Sequence, residues 1–330
     1  MHTRELTAAG VRDRHVTEAY EHCGAALARK NSAAYPLARV LLPAGKRPYY
    51  DAMLALCGHA DDLLDDPGKS IAERGEAYDE FVADFFRDEE RFDPGKPVAD
   101  APRRRHGRLV SRAFRHFTST WGIPQESVRE FLLTMREDLS VTSFPTYGDL
   151  HHYMQGVSGV PTRWVNTLLE PRHEGAERMA TALGYGLYLL DFLADIREDL
   201  ELGRVYLPAE DLRSFGLDRA SLESAVRRGT MTEPLRELVR FEAERVGRYF
   251  DEAEEWWHHV HPSSRELPRQ YLALGRQTLR QLLRADCDVL RPRPAGRVLG
   301  AARAYGTTGL SYLRARRDQR RYGVRPLATV

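Results

Sequence analysis

The chain is poor in the features that would classify it quickly. Three cysteines stand in 330 residues, Cys23, Cys57 and Cys287, and their scatter gives neither a disulfide framework nor the CxxC spacing of a zinc or redox site. An excess of either charge is missing: 49 basic against 48 acidic residues leave a net +1, so no bulk field draws nucleic acid to the protein. Apolar runs fall far short of the length that crosses a bilayer. The start, Met1-His2-Thr3-Arg4-Glu5, is polar and no apolar stretch follows, so no signal peptide is expected and a reducing cytoplasm is the expected setting. Internal repeats are absent. What is present is 42% apolar and 29% charged residues, the balance of a globular protein, at a length suited to one large domain or two ordinary ones.

Helical periodicity dominates and apolar–polar alternation is scarce, so the expected fold class is all-α. Helices are expected near 13–30, 34–42, 47–65, 70–90, 107–121, 124–138, 147–169, 174–200, 208–214, 219–228, 233–260, 264–290 and 298–317. Pro43, Pro48, Gly122-Ile123-Pro124, Pro161, Pro208 and Pro262 punctuate them. The stretch from Asp93 through Arg105 is expected to be an exposed loop between helices. Residues 1–290 are taken as one domain. From 291 to 330 there are ten arginines and one aspartate, which suits a solvated basic tail or a weak contact with anionic lipid.

Two aspartate clusters carry the chemistry. Asp61-Asp62-x-x-Asp65-Asp66 follows Leu54 to Ala60, and Asp191, Asp195 and Asp199 follow Leu183 to Leu190, about 130 residues later. On a helix, carboxylates four apart share one face, about 6 Å apart along the axis. Stacked like charges in apolar surroundings destabilise a fold unless a cation binds them. Mg²⁺ takes such oxygens and shares its shell with water and phosphate. The pair therefore points to a metal–diphosphate site between two helices, with Asp61 and Asp65 on one wall and Asp191, Asp195 and Asp199 on the other. A carbocation formed there needs an apolar, aromatic-lined cavity to keep water away.

The run from Leu41 to Pro48, followed by Cys57-Gly58-His59-Ala60-Asp61-Asp62-Leu63-Leu64-Asp65-Asp66, resembles the first signature of squalene and phytoene synthases. Asp191 to Leu200, continuing through Gly203-Arg204-Val205-Tyr206-Leu207-Pro208, resembles the second. Met135 to Thr142, Thr146 to Leu150 and His261 to Arg265 follow the same family. The resemblance implies an isoprenoid synthase fold, a single helical domain around a central cavity. It also implies Mg²⁺ as cofactor, an allylic prenyl diphosphate as substrate, and Arg204 and Tyr206 as diphosphate contacts.

Several positions depart from that family. Where relatives carry basic residues, this chain has Asn31-Ser32-Ala33-Ala34-Tyr35, Gly58, Ala194 and Ser143-Phe144. A hydrogen bond to a charged group contributes about 1.5–3 kcal/mol, so three or four losses are comparable to the ~8 kcal/mol that binds a micromolar ligand. One diphosphate site is thus expected to be kept and a second dismantled, unless Arg163, Arg197 or Arg276 compensates. Tyr188, Asp191, Gly275 and Cys287 also differ from the family and are expected to reshape the cavity. Tyr35, Phe144, Trp164, Tyr188 and Phe192 are its expected aromatic lining. The expected activity is prenyl transfer from dimethylallyl or another short allylic diphosphate to an aromatic carbon of a carbazole-type acceptor, as in a branch of the family that this chain resembles. The alternatives are head-to-head joining of two prenyl diphosphates, a single-substrate cyclase, and a non-catalytic isoprenoid-binding paralogue. His59 is a candidate base or a structural histidine; His151 and His152 are expected at the surface.

Overall fold

The computed structural model describes residues 2–30, 38–87, 102–290 and 296–323. Helices α1 (His2–Ala8), α2 (Arg14–Arg29), α3 (Arg47–Leu64), α4 (Ile71–Arg87), α5 (Pro102–Trp121) and α6 (Gln125–Arg136) form the first half. Then come α7 (Tyr147–Met154), α8 (Val160–Leu168), α9 (Ala176–Ala194), α10 (Ile196–Glu201), α11 (Ala209–Ser214), α12 (Arg219–Arg228), α13 (Glu233–Glu252), α14 (Glu266–Arg284) and α15 (Gly296–Tyr322). Among the described residues no strand forms; two isolated bridges join Ser143 to Val205 and Pro171 to Val260. The all-α expectation therefore holds.

Local chemistry sets several boundaries. Asp13 caps α2 by accepting from the His15 and Val16 N–H groups at 2.8 and 2.9 Å, and Thr146 with Asp149 closes a capping box at the start of α7. Three expectations fail for physical reasons. The stretch from Pro102 to Arg105 is helical, since proline at a first helical position initiates a helix. The single helix expected over 147–169 is interrupted by a π turn, Gln155–Gly159, whose extra residue shifts the phase of everything after it. The helix expected over 174–200 breaks at Asp195, which leaves helical geometry at φ −109°, ψ 14°. Residues 34–37 of the expected 34–42 helix, most of the 93–105 loop and Tyr35 lie outside the described residues; of the remainder of that helix, 38–39 are helical and the chain turns at 40–42.

Helices α3 and α9 are the two central posts, and most residues of each are buried. A helix apolar around most of its circumference belongs in the interior of a large domain. Close approach is secured at two glycines that face Phe250 of α13. A Cβ on Gly186 of α9 would lie 2.6 Å from the Phe250 ring, and one on Gly275 of α14 would also lie 2.6 Å from it. Gly275 therefore serves helix packing and does not reshape the cavity as expected. Cys287 likewise sits in a smaller second core with Leu193, Ile196, Val205 and Leu235, beneath the second aspartate cluster and outside the cavity lining.

Candidate active site

The two posts end alike. Asp65 closes α3 at φ −107°, ψ 14° and donates its N–H to the Asp61 carbonyl. Asp195 closes α9 at φ −109°, ψ 14° and donates to the Asp191 carbonyl. In both cases the chain leaves the helix one turn past the first aspartate. The 2.9 Å bond between the Asp199 N–H and the Asp195 carbonyl then carries the second cluster into α10.

Between the posts lies a cavity of about 490 Å³, with Asp61 and Asp191 both in its wall. Its body is apolar and aromatic, including Tyr50, Phe131, Tyr188 and Tyr271. A volume in this range encloses a drug-sized ligand. The Tyr50 and Tyr271 hydroxyls bond at 2.7 Å and tie α3 to α14 across the cavity. One aspartate of each cluster, Asp61 and Asp191, thus reaches the same apolar chamber. A second cavity, of about 420 Å³, opens between α4 and α5 and is lined by charged groups such as Glu73, Asp84 and Arg104. Its charges pair with each other, Arg104 on Asp84 at 2.9 Å, and neither cluster reaches it.

The carboxylates sit in an environment that asks for cations. Asp61 opens to solvent at the rim, yet the protein packed behind it and the neighbouring Asp65 raise its pKa. Asp199 is pushed up to about 7 by burial and then by Asp195. Desolvation and like charge both penalise the ionised form. Arg204 answers part of this: its guanidinium donates to Asp65 Oδ1 at 3.1 Å and to the Asp138 carbonyl at 3.0 Å. Asp138, unnominated from sequence, accepts from the Tyr153 hydroxyl at 2.6 Å, and burial pushes its carboxyl up to about 6. The two loops that carry these groups are stitched together by the Val205 N–H on the Thr142 carbonyl at 2.9 Å.

A cation also stands beside the first cluster that sequence reasoning missed. Lys30, at the end of α2, donates to Asp62 at 2.7 Å and to the Gly58 carbonyl at 3.1 Å. A Cβ on Gly58 would lie 3.1 Å from its ammonium. The space left by the missing side chain at position 58 is thus filled by a charge from another helix. Only the absence of a side chain at Gly58 could have signalled this, and it does not say which residue fills the gap.

The expected aromatic lining is only partly assembled at the cavity. Tyr188 lines it. Tyr206 stacks on Phe192 at 4.1 Å and also packs against Phe144 at 5.9 Å, so Phe144 is a buried prop for Tyr206. Trp164 is a core residue, 2% exposed; it packs edge-on to Phe114 and Phe131 and donates its indole N–H to Ser127 at 2.9 Å. The proposed compensating arginines are engaged elsewhere: Arg163 pairs with Glu130 at 3.1 Å, and Arg276 pairs with Asp251 and Glu254. Arg197 is exposed on α10. His59 turns from the cavity toward Phe81 and His106, with ring centroids 4.7 Å from each, which favours its structural role. His151 is half-buried against Tyr185, and His152 is exposed.

A model of squalene/phytoene synthase matches residues 28–301, which include both clusters and the Arg204–Tyr206 loop. The chain belongs to the squalene/phytoene synthase family. Members of this family are prenyltransferases, and this chain is an enzyme of that kind. The bifunctional protein CrtB/UppS of Streptomyces coelicolor is 31% identical over 231 residues, covering 70% of this chain and 38% of that protein. The phytoene synthase of Arthrospira platensis is 27% identical over 297 residues, covering 84% of this chain and 88% of that one. Among solved structures, the squalene synthase HpnC from Alicyclobacillus acidocaldarius superposes with a TM-score of 0.69 at 22% identity. It covers 84% of this chain and 98% of its own. A dehydrosqualene synthase solved in complex with ligand gives 0.65 at 22% identity, with 89% and 98% covered. These structural likenesses establish the isoprenoid synthase fold.

Enzymes of the family generally depend on Mg²⁺, and the donor set here suits that ion. Hard carboxylate oxygens from two helices face one chamber, and burial or like charge raises Asp61 and Asp199. Among the described residues no three His, Cys, Asp or Glu side chains gather tightly enough to hold a metal unaided. Mg²⁺ binds through one or two carboxylates and completes its shell with water and phosphate oxygens. The set therefore fits an ion that binds together with a diphosphate.

Proposed function

We propose that this protein ionises an allylic prenyl diphosphate between the two aspartate clusters and joins the resulting cation to a second prenyl diphosphate. The observation that carries the donor half is the placement of Asp61 and Asp191 in the wall of one aromatic chamber. The C–O bond of the donor breaks, and the diphosphate leaves with the electron pair. Asp61, Asp65, Asp191, Asp195 and Asp199 would hold Mg²⁺, which would supply positive charge for that group. Arg204 holds Asp65 and Asp138 in register and presents its guanidinium toward the same diphosphate. Tyr206, packed against Phe192 and Phe144, lends a hydroxyl to it. Tyr188, Tyr50 and Tyr271 shield the cation from water and offer π faces to it. A double bond of the acceptor then supplies the electrons of the new C–C bond and a proton is lost; the acceptor's own diphosphate next leaves with its electron pair, and loss of a second proton gives the hydrocarbon.

Two observations support a second diphosphate as acceptor. Similar proteins carry the names phytoene synthase and squalene synthase. Lys30 also restores a positive charge beside Gly58, which removes one of the reasons for expecting a lost site.

Prenylation of an aromatic, carbazole-type carbon is the second reading, and one specific observation favours it. A chamber of about 490 Å³ lies toward the lower part of the range for ligand pockets, about 300–1,000 Å³. It suits a short prenyl group and a flat ring better than two long chains. Ala194, beside Asp195, still lacks the family's basic side chain. Incubation with Mg²⁺ and geranylgeranyl or farnesyl diphosphate alone, followed by mass analysis, separates the readings. A hydrocarbon of doubled chain length is expected. Its absence, together with a prenylated product when dimethylallyl diphosphate and a carbazole are supplied, would replace the first reading with the second.

A further inference from the structure

Helix α15 lies on the outer side of α14 and is fastened along one face. Ser311 donates to Gln270 at 2.9 Å, Arg265 pairs with Asp318 at 2.9 Å, and Gln319 donates to the Leu41 carbonyl at 3.2 Å. Ala315 completes that face at 1% exposure. These positions follow one another at helical spacing, so the opposite pole of the helix is fixed as well. It carries Leu310, Leu313, Arg317 and Arg320, flanked by Arg314, Arg316 and Arg321. Leu310 is 60% exposed and Leu313 is 65% exposed, an unusual place for two leucines on a helix that already has a packed face.

Charge on this pole is unbalanced. Residues 308–323 contain five arginines and one acid, Asp318, and that acid is 1% exposed. Asp318 is shared by Arg265 on the inside and Arg317 at 3.4 Å. The outward surface is therefore cationic with an apolar strip along its middle. Tyr312 and Tyr322, both partly exposed, lie under Arg316 and Arg321 at 5.9 and 5.6 Å.

We propose that this face of α15 docks the protein on an anionic phospholipid surface. Leu310 and Leu313 enter the headgroup–acyl boundary, and the arginine stems run alongside them while the guanidinium groups pair with lipid phosphates. A nucleic acid would meet the arginines equally well but would leave both leucines facing water. No helix of the described residues is long and apolar enough to cross a membrane, so the contact is a lateral one. Gln270 of α14 holds Ser311, while Leu267, Pro268 and Tyr271 of the same helix line the cavity. The lipid surface would thus lie one helix away from the apolar chamber that receives isoprenoid chains.

The test is co-sedimentation of the full chain with vesicles of phosphatidylcholine alone and of phosphatidylcholine with phosphatidylglycerol in equal parts. Binding to the anionic vesicles only is expected, weakening as salt rises. Leu310→Ser with Leu313→Ser should lower the anionic-vesicle affinity about tenfold, with the thermal midpoint unchanged. Arg316→Gln with Arg320→Gln, which leaves the packed face intact, should lower it by a similar factor. Equal binding to both vesicle types, no binding to either, or indifference to the leucine changes would overturn the proposal. Tighter binding to a duplex oligonucleotide than to anionic vesicles would overturn it in favour of nucleic acid.

Discussion

The C-terminal ends of α3 and α9 share a backbone and differ in their company. Each ends on an aspartate near φ −108°, ψ 14° that bonds back to an aspartate one turn earlier. Around the first end, Lys30 holds Asp62, Arg204 holds Asp65, and Lys69 stands 3.7 Å from Asp66. At the second, burial and Asp195 together raise Asp199 to about 7, with Arg204 only partly offsetting them. The same helix ending thus gathers protein cations on Asp62, Asp65 and Asp66 at the first end, while Asp61 there and Asp199 at the second are both raised by burial and a like-charged neighbour. Both ends would hold the metal, and the division between them lies in the protein cations gathered at the first.

The largest expected effect tests that division. Asp195→Ala should lower turnover by about 10³-fold or more, since a metal's charge stabilisation is worth several kcal/mol. It should also relieve the like-charge penalty that Asp195 places on Asp199 and so cost less stability than the loss of Asp65. Asp65→Ala should also cost activity but should lower stability by about 1–3 kcal/mol, because buried Arg204 loses a charged partner. Chemical denaturation of the two variants reads this contrast; equal stability losses would erase the distinction between the ends.

A smaller effect sharpens the role of the first end. Lys30→Gln should raise the KM for the prenyl diphosphate about tenfold, the worth of one charged hydrogen bond, with kcat little changed. Adding Gly58→Arg to that variant returns a cation to the same place and should recover most of the loss. Unaltered KM in Lys30→Gln would reduce the lysine to a partner of Asp62.

The smallest effect concerns the histidines behind the first end. His22 bonds His106 at 2.7 Å, and burial followed by the charge of His106 depresses His22 from 6.5 to about 4. His106 is lowered by burial too. The unfolded chain therefore takes up these protons first, so stability is intact above about pH 6.5 and falls as pH drops toward 4. For a half-buried ring the loss is roughly 1–2 kcal/mol. Urea midpoints across that range should show the slope, and His22→Gln should flatten it.

Much of this was legible in the amino-acid order. Helical period, the two aspartate clusters and the Arg204–Tyr206 loop depend on neighbours close in sequence, and such patterns survive in a single chain. Lys30 did not, because the space above Gly58 is closed by a residue 28 positions away that no local spacing points to. Asp138 hides for a similar reason: its burial comes from Tyr153 and Arg204, supplied by different segments. Trp164 was misplaced in the cavity because the π turn at Gln155–Gly159 alters the helical phase before it. Arg163 and Arg276 were plausible as substitutes only while their partners, Glu130, Asp251 and Glu254, were unknown.

The way both posts finish has a thermodynamic consequence. A helix presents its carbonyl end as roughly half a negative charge, and α3 and α9 both bring that end, plus their aspartates, to the chamber mouth. Diphosphate alone meets repulsion there from backbone as well as side chains. Divalent cation and prenyl diphosphate must then favour each other's binding, and by linkage each raises the other's affinity by the same factor. The two helix ends make the mouth a coincidence detector, answering the pair more strongly than either member by itself.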